Sequence, residues 1–452
     1  MRIAGNDVNG AFYDASIAGA GTDYSQQDVA QLSLSDIVCS ATTTVTSVVG
    51  GFTAAMIGNA IRITGGGATS GYYFITARTD TNTITVDRTP GTVAAGTGNV
   101  GGAAITHKRL LDNANAVGDK VVAGNIVYIQ GSGSDTPSSA DYANTTGFYT
   151  PVSGSSGTAR VQLIGETGRP RFASNGLIFY NWTFCFVKNL YLTTTSNNSG
   201  SFGIINCAGN DTVQNLVIDT NNQTGILGIY INGTNVRVLD TEIKSGTSSP
   251  TSSAGCHGIN NTNYGAYVEN CNIHHMRAKG ILDSGGGTVI RNTKVWGCVD
   301  NSIDLAAALT PSSVVNCTVD AGQGHALLIA QVTLFGMDIR NSIFSNHTGS
   351  GKYGISIAAG TAAANDLIKN FVDYNCYYNN TSNFNAISAG AHDTQGTDPQ
   401  YVSASTGDFT LGTNLKGLGY LPYLDPGAVQ RQEAGAGGTT IAGTALLRGM
   451  VG

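Results

Sequence analysis

From about residue 185 the chain repeats one short pattern: an aliphatic residue, any residue, Asn or Asp, two variable residues, and usually another aliphatic. It runs Val187-Lys188-Asn189 with Tyr191-Leu192, Val213-Gln214-Asn215 with Ile218, Val238-Leu239-Asp240 with Ile243, and Val268-Glu269-Asn270 with Ile273. It continues through Ile290-Arg291-Asn292 with Val295, Val314-Val315-Asn316 with Val319, Ile339-Arg340-Asn341 with Phe344, and Ile368-Lys369-Asn370. The Asn or Asp positions recur every ~22 to 30 residues, the spacing of solenoid coils. Between them lie short apolar runs that follow a Gly or small polar residue: Gly203-Ile204-Ile205, Gly228-Ile229-Tyr230-Ile231, Gly280-Ile281-Leu282, Ser302-Ile303-Asp304-Leu305 and Gly354-Ile355-Ser356-Ile357. Each repeat predicts two or three short strands, with no room for a crossover helix, which excludes a Rossmann-like fold.

Such strands, stacked coil on coil, give an all-β parallel β-helix that rises about 4.8 Å per coil. An Asn recurring at one turn can form a ladder in which each side-chain amide bonds the next coil's. The longest steps place outward loops at Lys244–Gly255 and Ser345–Lys352. Upstream, residues 108–117 are the best helix candidate and suit a cap on the open end of the solenoid, followed by a strand at Asn125–Gln130. Residues 1–104 read as a separate β-rich module, with a strand at Gly58–Thr64 and a hairpin of Tyr72–Thr76 and Thr83–Asp87. The stretch Val93–Gly102, rich in Gly, Ala and Thr, reads as a linker. The solenoid is expected over residues 105–430, fading after about residue 390 and closed by Leu424-Asp425-Pro426-Gly427. Residues 431–452 read as an extended Gly/Ala-rich tail that docks on a neighbouring chain.

Composition sharpens this picture. Of 452 residues 61 are Gly, and only 12% are charged, about half the usual ~25%. With 41% hydrophobic residues the chain is not a charge-rich disordered one. A net charge of −6 and a pI near 5.6 argue against a basic nucleic-acid surface. No run approaches the ~18 apolar residues of a membrane span. The start, Met1-Arg2-Ile3-Ala4-Gly5-Asn6-Asp7, lacks the apolar stretch of a signal peptide, so synthesis and assembly in a cytosol are expected.

The coils resemble the right-handed parallel β-helix proteins of the pectate-lyase-like class, over roughly residues 105–430. Gly118-Asp119 with Asn125–Gln130 resembles the usual opening of the first coil. Asp398-Pro399-Gln400-Tyr401, Asp408-Phe409-Thr410-Leu411 and Asp425-Pro426-Gly427-Ala428 resemble the usual close. Gly21-Thr22-Asp23-Tyr24-Ser25-Gln26-Gln27-Asp28, with Gly51-Phe52 and Gly58-Asn59, resembles a module found ahead of β-helices in tailed-phage and related virus proteins. The class holds lyases, hydrolases, adhesins and structural virion parts, so fold alone assigns no activity.

Polysaccharide-cleaving members use clustered carboxylates on one exposed sheet, for calcium or as acid and base. This chain has four glutamates, Glu166, Glu242, Glu269 and Glu433. Asp283 and Asp304 lie about one coil apart with His325 a coil later, a candidate exposed row. Aligning Ile281 with Ile303, however, sets Asp304 level with Leu282, so the two carboxylates point to opposite faces and read as surface or turn residues. Arg277, Lys279 and Lys294 fall on other turns, which leaves no base for a lyase. Of the eight cysteines (Cys39, Cys185, Cys207, Cys256, Cys271, Cys298, Cys317 and Cys376), Cys271 and Cys317 directly follow ladder Asn residues, where small buried side chains belong. Disulfides are not expected. Cys256-His257 and Cys271 with His274-His275 have a spacing that superficially resembles a zinc site, but they fall on different sides of the coil. Gly65-Gly66-Gly67 and Gly285-Gly286-Gly287 lack the Lys-Ser/Thr of a phosphate loop and read as turns. Tyr142, Phe148, Tyr149, Trp182 and Trp296 could form a sugar platform, with core or subunit contact the favoured reading.

No catalytic, cofactor-binding or metal-ligating residue is assigned, and no cofactor is expected. The expectation is a non-enzymatic structural protein of a phage-like virion, a capsid decoration or cement protein on the particle exterior, assembled in the host cytoplasm. Its partners would be its own copies as a homotrimer and capsid or tail proteins, with host glycans a further candidate, and with no nucleic acid and no membrane. The alternative is a tail fibre or tailspike that binds or cleaves host surface polysaccharide.

Overall fold

The computed structural model describes residues 32–100, 123–129, 153–165, 168–174 and 178–430, with breaks in the last at 196, 198–201, 247–254, 307–309, 331–336 and 359–370; residues 131, 134 and 142–144 are also described. The helix expected at 108–117, the tail at 431–452 and the module residues 21–28 lie outside them. Two compact units divide the chain, one of residues 1–142 and 149–171, the other of 143–148 and 172–452. Among the described residues no helix is long and apolar enough to cross a membrane.

The first unit contains a closed antiparallel barrel in the order Leu32–Ser40, Thr44–Thr46, Thr83–Val86, Gly71–Asp80, Ala60–Thr64, Thr92–Val100. Alternation drives it: Ile37, Val45, Ile61, Ile63, Tyr73, Ile75, Ile84 and Val86 fill one core. The expected hairpin is present as Gly71–Asp80 with Thr83–Val86. The linker expected at Val93–Gly102 is instead a barrel strand over Thr92–Val100, paired on both sides. Its glycines reflect crowding and not looseness: a β-carbon on Gly98 would lie 2.8 Å from Ile37, and one on Gly96 2.5 Å from Val93. The strand expected near 125–130 is Ile126–Ile129, parallel to Val161–Gly165.

The second unit is a parallel β-helix with three sheets. Strands that precede the recurring Asn, such as Arg237–Leu239, Tyr267–Glu269 and Val289–Arg291, stack into a first sheet. Strands that follow it, such as Glu242–Lys244, Asn272–His274 and Lys294–Trp296, stack into a second. The third holds Ile259–Asn261, Ile281–Asp283, Ile303–Leu305 and their neighbours. The middle residue of each short strand in the first two sheets points inward, so Val238, Val268 and Ile290 face Ile243, Ile273 and Val295, all buried.

The turn Asn residues hold the coil together through their backbone. Asn189, Asn215, Asp240, Asn270, Asn292, Asn316 and Asn341 all have φ between +50° and +58°, a left-handed conformation that Asn and Asp tolerate better than other side chains. Their side chains link in pairs, Asn215 to Asn189 (2.7 Å), Asn270 to Asp240 (3.1 Å) and Asn316 to Asn292 (2.8 Å). Asp240 breaks the expected continuous ladder because a carboxylate has no donor to offer Asn215. The next position adds a second ladder. Thr241, Cys271, Thr293, Cys317 and Ser342 each donate to the carbonyl two residues back, and Thr241, Thr293 and Ser342 also accept a backbone N–H from the preceding coil. Cys271 and Cys317 are therefore small buried ladder members, as expected.

At the far end, the stacked strand is Phe371–Asp373, with Val372 opposite Ile339. Ile368-Lys369-Asn370 lie outside the described residues, and Tyr374 occupies the left-handed turn. After Thr394–Gln395 the chain doubles back over the outer face of the second sheet. Leu411, Leu415 and Tyr401 pack on Ile343 and Cys376, and Gln430 reaches Asn316 (3.1 Å).

Candidate functional site

The third sheet brings together the most chemistry. Register sets Ile259, Ile281, Ile303, Leu327 and Ile355 side by side. The residue two before each of these positions therefore forms a row: His257, Lys279, Asn301, His325, Tyr353. Three members accept a backbone N–H from the next coil: His257 Nδ1 from Lys279 (3.2 Å), Asn301 Oδ1 from His325 (3.0 Å), and His325 Nδ1 from Tyr353 (3.1 Å). An accepting Nδ1 places the proton of each neutral imidazole on Nε2. Burial, then the charge of Lys279, pushes His257 down to about 4. Burial, then Lys352, also lowers His325, whose ring stacks on Tyr353 at 5.5 Å.

Asp304 joins this row from the strand beside it. Its Oδ2 lies 2.6 Å from Lys279 Nζ and accepts from Asn301 Nδ2 at 3.2 Å. The residue is 3% exposed, and its Oδ1 is buried with no hydrogen-bond partner. The negative charge of Asp300 also acts on both imidazoles. One carboxylate, one ammonium and two neutral imidazoles thus share a face across successive coils. The half-buried Lys279, His257 and His325 can offer donors, an ammonium and two Nε2–H groups, to a hydroxyl-rich ligand, with the buried Asp304 carboxylate fixing the ammonium in place.

Asp283 takes no part. Leu282 pairs with Asp304 and Asp283 with Leu305, so the two aspartates face opposite ways, as the sequence register requires. Neither is the surface or turn residue expected, because Asp283 is fully buried as well. Inside the coil Asp283 Oδ1 accepts from Asn261 Nδ2 (2.9 Å) and the Gly286 N–H (2.9 Å), and Oδ2 accepts from Ser312 Oγ (2.5 Å). This network fixes the Gly285–Gly287 turn. The expectation that Lys279 belongs elsewhere also fails: a residue two before one strand lies diagonally beside the second residue of the next coil's strand. Arg277 and Lys294 do lie elsewhere, at Asn222 and Gly407.

A second cluster sits on the outer face of the second sheet. His274 Nε2 lies 3.0 Å from Glu242 Oε1, and the Nδ1 atoms of His274 and His275 are 2.8 Å apart. The hydrogen bond from His274, aided by Lys244, lowers Glu242 to about 2. Burial, then His274, lowers His275 to about 4. Trp296 stacks on His274 at 4.7 Å and is itself capped by Phe409. Cys256 and Cys271 point into the body of the coil, away from His274. Among the described residues no group of three His, Cys, Asp or Glu is placed to hold a metal ion.

Trp182 and Trp296 are buried, so neither offers a free face for sugar stacking. Phe148, Tyr149, Glu166, Glu433 and the Tyr142 side chain lie outside the described residues. No disulfide bridges the eight cysteines, all of them buried. Sequence reading missed Lys279 and Asn301 as partners of Asp304; the signal was present as a constant two-residue offset before Ile259, Ile281, Ile303, Leu327 and Ile355.

A family model for the right handed beta helix region matches residues 203–372. The coils are those of a right-handed parallel β-helix, carried with a small antiparallel β domain at the N-terminal side. Among solved structures, the pectate lyase Pel9A is similar, with 13% identity and a TM-score of 0.44, covering 69% of this chain and 89% of that one. The catalytic unit of a GH87 alpha-1,3-glucanase from Streptomyces thermodiastaticus is similar at 11% identity and a TM-score of 0.28, covering 81% and 90%. The A-module of the Azotobacter vinelandii mannuronan C-5 epimerase AlgE4 has 11% identity and a TM-score of 0.24, covering 61% and 89%. No curated protein sequence matches the chain.

Proposed function

We propose that this chain is a structural protein of a phage-like virion: a decoration or cement protein on the particle exterior, working as a homotrimer against capsid or tail proteins. The observation that carries this reading is the use made of its few carboxylates. Asp211, Asp283, Asp304, Asp320 and Asp425 are all buried and serve as fasteners. Asp211 accepts the N–H groups of Cys185 and Gly209, Asp320 accepts from Ser345 and Asn346, and Asp425 accepts the N–H of Gly417. With these five aspartates drawn inward and only 12% of the residues charged, much of the outer surface is left to neutral polar side chains, which suits lateral packing because protein interfaces are depleted of charge at their cores. Quantifying the protein in purified particles tests the reading. Hundreds of copies are expected; absence from the particle overturns it, and a few copies at the tail overturn the decoration role.

A second reading has one specific observation in its favour: His257, Lys279, Asn301, Asp304 and His325 share one face. On that reading the chain is a tail fibre or tailspike that binds or cleaves host polysaccharide. Release of sugar products from host surface polysaccharide, abolished by Asp304→Asn, would establish it. Under the structural reading no product forms.

A further inference from the structure

Several large apolar side chains left in solvent cluster at the turn Gly417–Asp425, which packs against the last described coils. Leu421 and Leu424 are 74% and 66% exposed, and Leu418, Tyr420 and Phe371 are exposed beside them. The Phe371 and Tyr420 rings are 5.7 Å apart. The Arg340 guanidinium lies over both, at 5.5 and 5.2 Å.

This turn is held rigidly. The Asn341 side chain grips it twice, donating to the Tyr420 carbonyl (2.8 Å) and accepting the Tyr420 N–H. Asp425 accepts the Gly417 N–H (2.7 Å), the Gly419 N–H bonds the Leu424 carbonyl (3.0 Å), and Gln430 bonds both ways with Asp425. Asn341, otherwise a ladder residue, is thus used to pin an apolar turn outward. A contiguous exposed apolar patch of several hundred Å² marks an interaction site, and Phe, Tyr, Leu and Arg on a rigid frame are the makings of an interface core.

We propose that this patch is the contact through which copies of the chain associate, an inference that rests on the self-assembly in the proposed function. A second copy fits for two reasons. Asp338, 3.1 Å from Arg340, neutralises the cation that lies over the rings, so identical patches meet without like-charge repulsion. The exposed area is roughly 500 Å², over half of the ~800 Å² per partner of a stable interface.

Light scattering and sedimentation of the full chain test this, comparing wild type with L421D/L424D and with Val48→Asp, a valine 90% exposed in the other unit. The expected result is a wild-type oligomer, unchanged by Val48→Asp and weakened at least tenfold in association by L421D/L424D, with an unchanged circular dichroism spectrum. Should L421D/L424D misfold, L421S/L424S replaces it with the same expectation. An oligomer that survives these variants overturns the patch while leaving self-assembly standing. A monomeric wild type overturns both, whether the patch is covered by the chain's own terminal residues or reserved for a different protein.

Discussion

Replacing Asp283 by alanine removes the centre of the polar network inside the third sheet. Three donors lose their acceptor at once: Asn261 Nδ2, the Gly286 N–H and Ser312 Oγ. Asn261 keeps a bond to Thr288 (2.9 Å), so the Gly286 N–H and the Ser312 hydroxyl bear the main loss. A buried donor left without a partner costs about 1–3 kcal/mol, so Asp283→Ala is expected to destabilise by about 3–5 kcal/mol. The same site offers an internal contrast. The flanking coils place Ile231 and Leu305 in this column, with Asn261 and Asp283 between them. N261I/D283L would rebuild an apolar stack, but it leaves the Gly286 N–H, the Ser312 hydroxyl and the Asn263 N–H without their acceptors, so it should recover little of the loss. Urea denaturation gives the magnitude, and amide exchange at Gly286 reports whether the turn opens first. A loss below about 1 kcal/mol, or unchanged exchange at Gly286, would refute the reasoning.

Three further outcomes are expected. Burial lowers His347 to about 4 from an ordinary 6.5, so the unfolded chain takes up the proton first as pH falls. The associated stability, about 3 kcal/mol, is complete above pH 6.5 and lost progressively toward pH 4. His347→Gln should therefore show a flatter urea midpoint between pH 7 and 4.5, and equal slopes would count against the idea. Asn292, with φ of +50° and a bond from Asn316, should cost about 1–2 kcal/mol as Asn292→Ala, while Asn292→Gly, measured by thermal melting, should cost less. Native protein should react with a thiol reagent at none of its eight buried cysteines, and all eight should react in denaturant; rapid native labelling would place a cysteine at the surface.

The periodic parts were legible because stacking makes sequence spacing and spatial register the same thing. A constant gap between Val-x-Asn units forces Val238, Val268 and Ile290 into one column, and the opposed directions of Asp283 and Asp304 follow from counting residues along a strand. The linker assignment at residues 93–102 failed because glycine is ambiguous in isolation: flexibility and close packing demand the same absence of a side chain. Only the neighbours Ile37 and Val93 select between them. The final repeat was displaced for a related reason, since Tyr374 takes the left-handed turn usually given to Asn and leaves no mark in the pattern.

The candidate site was half visible. Asp304 and His325 stood out by residue type, but the Lys279 ammonium beside Asp304 arises from a diagonal contact between coils, which a one-dimensional pattern does not encode. Burial was the other hidden variable: whether an aspartate lines a groove or ties a turn depends on which backbone N–H groups surround it. The sequence by itself determined the coil, its turns and the inward faces, because these are local and repeat. Only the tertiary structure decided where the charges rest and which apolar surface stays open, because the first depends on diagonal contacts between coils and the second on the return of residues 398–430 across coils distant in sequence. With that return, Phe409 caps Trp296, and Leu421 and Leu424 are carried into solvent.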